Sequence, residues 1–370
     1  MSTNLGWALL VAGVAAIAIV ASLVRGIGTD RSRFRALVLA TTALTFCVVV
    51  LGAYVRLSDA GLGCPDWPGC YGHMSPVHAK DHIERAVAEQ GGSHGPVSLP
   101  KAWKEMVHRY LAGFLGLLIL SIAVIAWMRR TVLRQSPLLA GSIVGVVIVQ
   151  ATLGAWTVTM LLKPAIVTGH LIGGMTTLAL LAWLYARQTA WPAIGNEGRS
   201  LIAPARLGLA LLVLQMILGG WVSTNYAALA CPDLPLCRGE LVPPMDFGNA
   251  FHVVRELGRT AEGALLSNEA LTAIHWLHRV GAIVVAAYLA WLAIRAASIP
   301  GLRTTARTLL ALLVVQFAIG LGNVLFSLPL ALATAHNAGA ALLLVTLVVI
   351  NFRLFPGSAA GYSAADTAKS

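Results

Sequence analysis

MVHRYLAGFLGLLILSIAVIAWM, residues 106–128, decides the fold class. It is an almost unbroken apolar run of the ~20 residues a helix needs to cross ~30 Å of hydrocarbon, and its one charge, Arg109, lies near one end. No period-2 alternation runs through it, so it does not read as a strand of a lipid-facing barrel; a helix satisfies its own backbone. Eight further stretches read the same way, near 5–24, 37–57, 138–161, 165–186, 205–226, 271–294, 307–327 and 331–352. Nine helices are expected. The composition agrees, with 58% hydrophobic and 11% charged residues and a mean hydropathy of +0.78, more apolar surface than a soluble core can hide. The chain reads as an all-α, multi-pass integral membrane protein surrounded by lipid.

Arginines set the expected orientation. Arg25, Arg31, Arg33 and Arg35, then Arg129, Arg130 and Arg134, then Arg187, Arg199 and Arg206, then Arg295, Arg303 and Arg307, and finally Arg353 occupy one set of short connections. These belong on the cytoplasmic side of the cell membrane. The long connections near 58–103 and 227–270 mix acid and base and belong outside. The C-terminus is then cytoplasmic, and the N-terminus outside if the first stretch is retained. Met1 to Trp7 has no basic residue and the apolar run is long for a signal, so a retained helix is expected. The net charge of +11 is read as topology, and no nucleic acid is expected as a partner.

The chain repeats itself. GAYVRLSDAGLGCPDWPGCYG (52–72) lies over GGWVSTNYAALACPDLPLCRG (219–239) with both cysteines, both prolines, the aspartate and the last glycine in register. QATLG at 150, QMILG at 215 and QFAIG at 316 repeat a helix signature. Two tandem four-helix units are therefore expected, 33–190 and 191–355, related by a pseudo-two-fold repeat, with an extra helix and basic loop at 1–32 and a polar tail at 356–370. The pairs Cys64/Cys70 and Cys231/Cys237 share the pattern C-P-D-x-P-x-C, on loops expected in an oxidising compartment, and such a spacing closes as a disulfide without a large change in path. They are either structural staples, or the first pair is redox-active. Cys47, within a helix, reads as an inert apolar residue.

Four histidines fall at matching places: His108 and His170 in the first half, His278 and His336 in the second. Gln150 and Gln316 each precede the later histidine by twenty residues. A histidine within a membrane is costly unless paired or ligated. Four isolated, hydrogen-bonded core histidines are a poor account of a repeated pattern. Two imidazoles at similar depth on neighbouring helices are how a bundle ligates haem axially, and no repeated third or fourth ligand points to zinc. Arg109 and Arg279, beside the histidines, either pair with haem propionates or snorkel to the interface. His73, His78, His82, His94 and His252 lie in polar loops and carry a weaker signal; Trp67 and Trp221 read as boundary anchors.

GAYVRLSDAGLGCPDWPGCYG, KEMVHRY, TGHLIGG, CPDLPLC, LHRV and TAHNAG together resemble the haem A synthase family, also called the Cox15/CtaA family, over roughly residues 37–352. The resemblance implies a membrane oxidoreductase that converts the C8 methyl of haem O to the formyl of haem A. It further implies that His108 and His170 flank the substrate haem, that His278 and His336 ligate a haem b cofactor, and that Arg56 joins Arg109 and Arg279 as support of the sites. A haem O synthase and oxidase assembly factors are the implied protein partners, and a homo-oligomer is left open. Glu105, three residues before His108 and so on its helix face, matches the family's functional glutamate; the equivalent place before His278 holds His275. Glu105 would take a proton from a hydroxylated intermediate or stabilise positive character at the methyl carbon. Its plain alternative is an interfacial carboxylate pairing with Lys101 or Lys104. Two other functions remain open: a dihaem electron-transfer protein of the cytochrome b type, which leaves Glu105 unused, and a membrane disulfide-generating oxidoreductase, which leaves the histidines unused.

Overall fold

A computed structural model describes residues 18–27, 30–90, 95, 97–133 and 136–355. Helices make up the regular structure: α1 (Ala18–Ile27), α2 (Arg31–Leu57), α3 (Lys80–Glu89), α4 (Leu99–Met128), α5 (Arg130–Leu133), α6 (Pro137–Thr159), α7 (Pro164–Arg187), α8 (Ile202–Thr224), α9 (Phe247–Ala250), α10 (Asn268–Ala297), α11 (Arg303–Leu325) and α12 (Leu330–Leu354). Among the described residues, eight helices are long and apolar enough to cross a membrane. Of the expected first span, 5–24, only the part in α1 is described. The rest of that span, Arg134, His94 and the tail 356–370 lie outside the described residues.

Several helices start earlier than their apolar runs, because polar residues cap and extend them. The Asp30 side chain accepts from the amides of Ser32 and Arg33, which sets the start of α2 at Arg31. Ser98 accepts from Lys101 N with Pro100 in the first turn of α4, and Ser267 accepts from Ala270 N at the start of α10. KEMVHRY is therefore helical throughout. His108 lies nine residues into α4, counted from Leu99, and His278 ten residues into α10, counted from Asn268. At 1.5 Å per residue each is ~14–15 Å along its helix from the capped start.

Outward faces are apolar, as lipid requires. Ile148 and Val149 on α6 and Val314 and Val315 on α11 are exposed, and so is Cys47 on α2. Two compact units divide the chain, one ending at Thr177 and one beginning at Leu178. The polar connection after α7 suggests a boundary at 190/191, whereas compactness puts the break inside α7. The last turns of α7 belong with the second unit: Trp183 meets Phe352 edge-on at 5.2 Å and Phe355 at 5.9 Å. Within the first unit α4 packs on α2 and α6, and Gly174 of α7 reaches Val49 of α2. Within the second, α8, α10, α11 and α12 close a ring, each packed on the next.

Several arginines of the expected cytoplasmic set have structural contacts, two of which tie segments together. Arg31 donates to Val132 O at 2.9 and 2.7 Å, tying α2 to α5. Arg353 is buried, lies over the Trp191 ring at 5.1 Å and donates to Pro192 O. Trp221 departs from its expected role as a boundary anchor. It is buried, donates through Nε1 to Ala250 O at 2.8 Å, and lies under the Arg255 guanidinium. Trp67 remains exposed.

Candidate functional site

Each C-P-D-x-P-x-C segment folds as a closed loop with the same internal logic. Cys64–Cys70 and Cys231–Cys237 are disulfides, and Trp67–Pro68 and Leu234–Pro235 are cis. The chain turns after the second cysteine through positive φ at Tyr71 and Gly72, and again at Arg238 and Gly239. The aspartate holds that turn. Asp66 accepts from the amides of Tyr71 (2.6 Å) and Gly72 (2.7 Å), and Asp233 from those of Arg238 (2.6 Å) and Gly239 (2.8 Å). The Asp233 carboxyl is held below the usual carboxylate range, chiefly by the Gly239 N–H.

The loops are fastened to the helices that carry the histidines. Gly63 rides on the first turns of α4, where an added Cβ would come within 2.7 Å of Ala102 N, so only glycine permits the approach. Glu105, buried on α4, reaches up to it: Oε2 accepts from Cys64 N at 2.9 Å, the Gly63 amide also donates to the carboxylate, and Oε1 pairs with Arg109 at 2.5 Å. Arg109 in turn donates to Asp66 O (2.8 Å) and Gly69 O (2.5 Å). The alternative pairing of Glu105 with Lys101 or Lys104 is replaced by this lock.

In the second unit His275 holds the place of Glu105. It is buried; its Nδ1 faces Cys231 N and its Nε2 faces Arg279 Nε, both at 3.3 Å. A neutral imidazole has one acceptor nitrogen, so it meets one of these donors at a time, whereas a carboxylate meets both. Arg279 donates to Asp233 O (2.8 Å), Leu236 O (3.0 Å) and Cys231 O (2.5 Å). Both arginines singled out beside the histidines are thus engaged with loop carbonyls. Arg56, at the end of α2, pairs with Asp59 at 3.6 Å. His275, which the sequence leaves without a role, thus faces a loop amide and the arginine that binds the loop.

The four histidines share one kind of seat. His108 and His170 are within electrostatic reach of each other, and so are His278 and His336. Each ring lies with Cε1 against a glycine of the neighbouring helix. A methyl group added at Gly52, Gly154, Gly219 or Gly320 would stand 3.0, 3.1, 3.1 or 3.2 Å from Cε1 of His108, His170, His278 or His336 respectively. His170 Nδ1 is 3.1 Å from Gln150 O, the geometry of an N–H donated to that carbonyl, which leaves Nε2 with its lone pair for a ligand. Gln150, Gln215 and Gln316 donate from Nε2 to the carbonyls of His170 (2.6 Å), His278 (2.9 Å) and His336 (3.0 Å). The Q-x3-G signature has a physical meaning here: the glutamine grips the turn that bears the histidine, and the glycine one turn on seats its ring. In the sequence those glycines and Gln215 show only as a repeated spacing, which does not reveal their contacts with the histidines.

Among the described residues, no group of three or more His, Cys, Asp or Glu side chains is arranged to hold a metal ion. Two imidazoles without a third ligand suit a planar macrocycle that supplies the other four, and do not suit a tetrahedral ion.

The COX15-CtaA family, described as a cytochrome oxidase assembly protein, matches residues 35–348. The chain belongs to the COX15-CtaA family. Relatives named heme A synthase include that of Shewanella oneidensis, 42% identical over 317 residues covering 85% of this chain and 94% of that protein. Those of Caulobacter sp. and Nitrosospira multiformis are each 28% identical, over 344 and 337 residues, covering 88% and 84% of this chain and 97% and 90% of theirs. This COX15-CtaA member is a multi-pass membrane protein.

Proposed function

We propose that the protein is a haem A synthase that oxidises the C8 methyl group of haem O, through hydroxylated intermediates, to the formyl group of haem A. The observation that carries the reading is the pairing of two bis-histidine seats with a buried carboxylate, Glu105, beside one seat only. Family membership and the names of the relatives support it. His108 and His170 hold the substrate haem O, and His278 and His336 hold haem b, each through a ring nitrogen. Haem b supplies a one-electron redox centre when bound. Electron transfer alone would leave the Glu105 carboxylate beside His108 without a chemical role, since His275 anchors its loop without one, and thiol chemistry alone would leave the histidine seats unused.

The residues of the first unit orient and exclude. The glycine seats at 52 and 154 fix the ring positions of His108 and His170. Glu105 stands one helical turn from His108 on the same face, anchored by Cys64 N and Arg109, so its charge reaches the site from a fixed point. In that position it would accept the proton that a hydroxylated intermediate loses, or stabilise positive character at the methyl carbon as electrons pass from the substrate to an external electron acceptor. Arg109 and Arg279 keep the loops in place, which leaves propionate pairing a secondary role for them. The arginine pattern supports cytoplasmic short loops, a cytoplasmic C-terminus and cysteine loops outside the cell membrane. The upstream partner is a haem O synthase, and the downstream partners are oxidase assembly factors.

Extraction and identification of the haem in purified protein tests the function. Haem B together with haem O, a hydroxylated derivative or haem A is the expected result. Haem B alone would favour an electron-transfer protein, and no haem at all would favour thiol chemistry.

A further inference from the structure

The grip that glutamine exerts on the histidine turn occurs at three of the four seats. Beside donating to the histidine carbonyl, Gln150, Gln215 and Gln316 turn Oε1 onto the glycine three residues after each histidine. A Cβ built on Gly173, Gly281 or Gly339 would overlap that oxygen. The oxygen has no hydrogen-bond partner and is buried, so the glycine Cα–H is what it faces. Each brace therefore needs two residues: a glutamine four before the seat glycine and a glycine three after the histidine. At the fourth seat the same two positions hold Val48, four before Gly52, and Leu111, three after His108. Neither side chain has a polar atom. His108 Nδ1 is also buried without a hydrogen-bond partner; His336 shares that trait, but its turn is gripped by Gln316.

We infer that His108 is the one of the four histidines that releases its haem during turnover: Val48 and Leu111 leave its turn unbraced so that the substrate can enter and the product can leave on that side. This rests on the reading that the first unit holds the substrate. A resident cofactor gains from two braced ligands, and His278 and His336 both have them. A substrate must be let go, and a bis-histidine site does so by freeing one ligand while the other keeps hold. His170, gripped by Gln150 and bonded at Nδ1, is the ligand that stays.

The test installs the brace. In the full-length protein, Val48→Gln with Leu111→Gly should slow both CO binding to the reduced first-unit haem and transfer of that haem to apomyoglobin by roughly tenfold. Such a change corresponds to one net hydrogen bond. Haem b should keep its spectrum, because its seats are untouched. Conversely, Gln150→Leu should speed first-unit haem loss by a similar factor, and it decides the matter if the double variant fails to fold. Unchanged CO and transfer rates in the folded variants would overturn the inference. If the unmodified protein holds no first-unit haem when supplied with haem O, the proposed function falls, and the inference falls with it. These two failures are told apart before any variant is made.

Discussion

Replacing Glu105 by histidine is the substitution the second unit itself suggests, because His275 already holds a cysteine loop from the equivalent place. Glu105→His should keep one acceptor for Cys64 N–H, as His275 does for Cys231 N–H, while removing the carboxylate. Glu105→Gln is the smaller change but not the cleaner one. A carboxamide has one acceptor oxygen and one NH2, so in either orientation its NH2 faces a donor, Cys64 N or Arg109. Loss of a charge-assisted bond costs about 1.5–3 kcal/mol. Arg109 keeps its bonds to Asp66 O and Gly69 O, which limits the penalty for leaving it without the carboxylate. A general acid/base contribution is about 10²–10⁴-fold in rate, so chemistry and stability separate in the readout. Both variants should retain haem at His108 and His170, accumulate haem O or a partly oxidised haem, and lose about two to four orders of magnitude in haem A production at equal protein level. Arg109→Lys, which disturbs the loop but keeps the carboxylate, should lose far less. Near-normal haem A production by Glu105→His, or an equal loss in Arg109→Lys, would reduce Glu105 to a loop anchor and remove the reason for placing the chemistry in the first unit.

The remaining expectations use other readouts. His278→Ala or His336→Ala should lose haem b and lower the yield of folded protein; an intact bis-histidine spectrum in both variants contradicts the ligand assignment. Peptide mapping without reductant should find Cys64–Cys70 and Cys231–Cys237 linked and Cys47 free, and Cys64→Ser should depress turnover more than Cys231→Ser, because only the first loop rests on Glu105. Asp233 titrates below its ordinary 3.8, so its hold on the second loop is complete above that value and fades as pH falls through the lowered one. Amide protection at Gly239 should therefore be flat from neutral pH down to about 4 and drop below it; a fall beginning near neutrality would assign the loop's stability to another group.

Much of the fold was legible because lipid imposes a simple rule: a run such as 138–161 must be a helix, and its ends appear within a few residues of the run. What sequence hid were polar extensions. Lys101 and Lys104 precede the apolar run, yet Ser98 caps a helix that includes them, and Glu105, expected on the helix face of His108, also turns toward a loop forty-one residues earlier in the chain. Likewise Arg109 and Arg279 read either as propionate partners or as residues snorkelling to the interface. Only the path of the cysteine loop reveals that carbonyls converge on both guanidiniums. Trp221 fell to the same difficulty, since no local pattern tells an interfacial tryptophan from one whose N–H is met by Ala250 O.

Two asymmetries separate the halves, and both fall on α2 and α4. At the loop end, a carboxylate at 105 stands where the other unit has His275; nearly two turns further along α4, Leu111, with Val48 on α2, stands where the other unit has Gly281 and Gln215. Each difference alone has a bland account, the first as a better loop anchor, the second as ordinary apolar packing. Together they act on one histidine. The carboxylate adds charge beside His108 at a fixed point, and the apolar pair withdraws the grip from its turn, so the seat that gains chemical equipment is the one that loses restraint. A site built only to retain a redox cofactor would gain nothing from that combination, because both changes lower the cost of exchanging what is bound or of altering its charge. A site that must accept a haem, change its oxidation level at a methyl carbon and give it up needs both. The expectation that follows is non-additive: in the background of Glu105→His, installing Gln at 48 and Gly at 111 should slow haem exit without further loss of turnover, since chemistry is already limiting. If the combined variant instead loses turnover by the product of the two separate effects, the residues act independently and the coupling of chemistry to release at His108 is wrong.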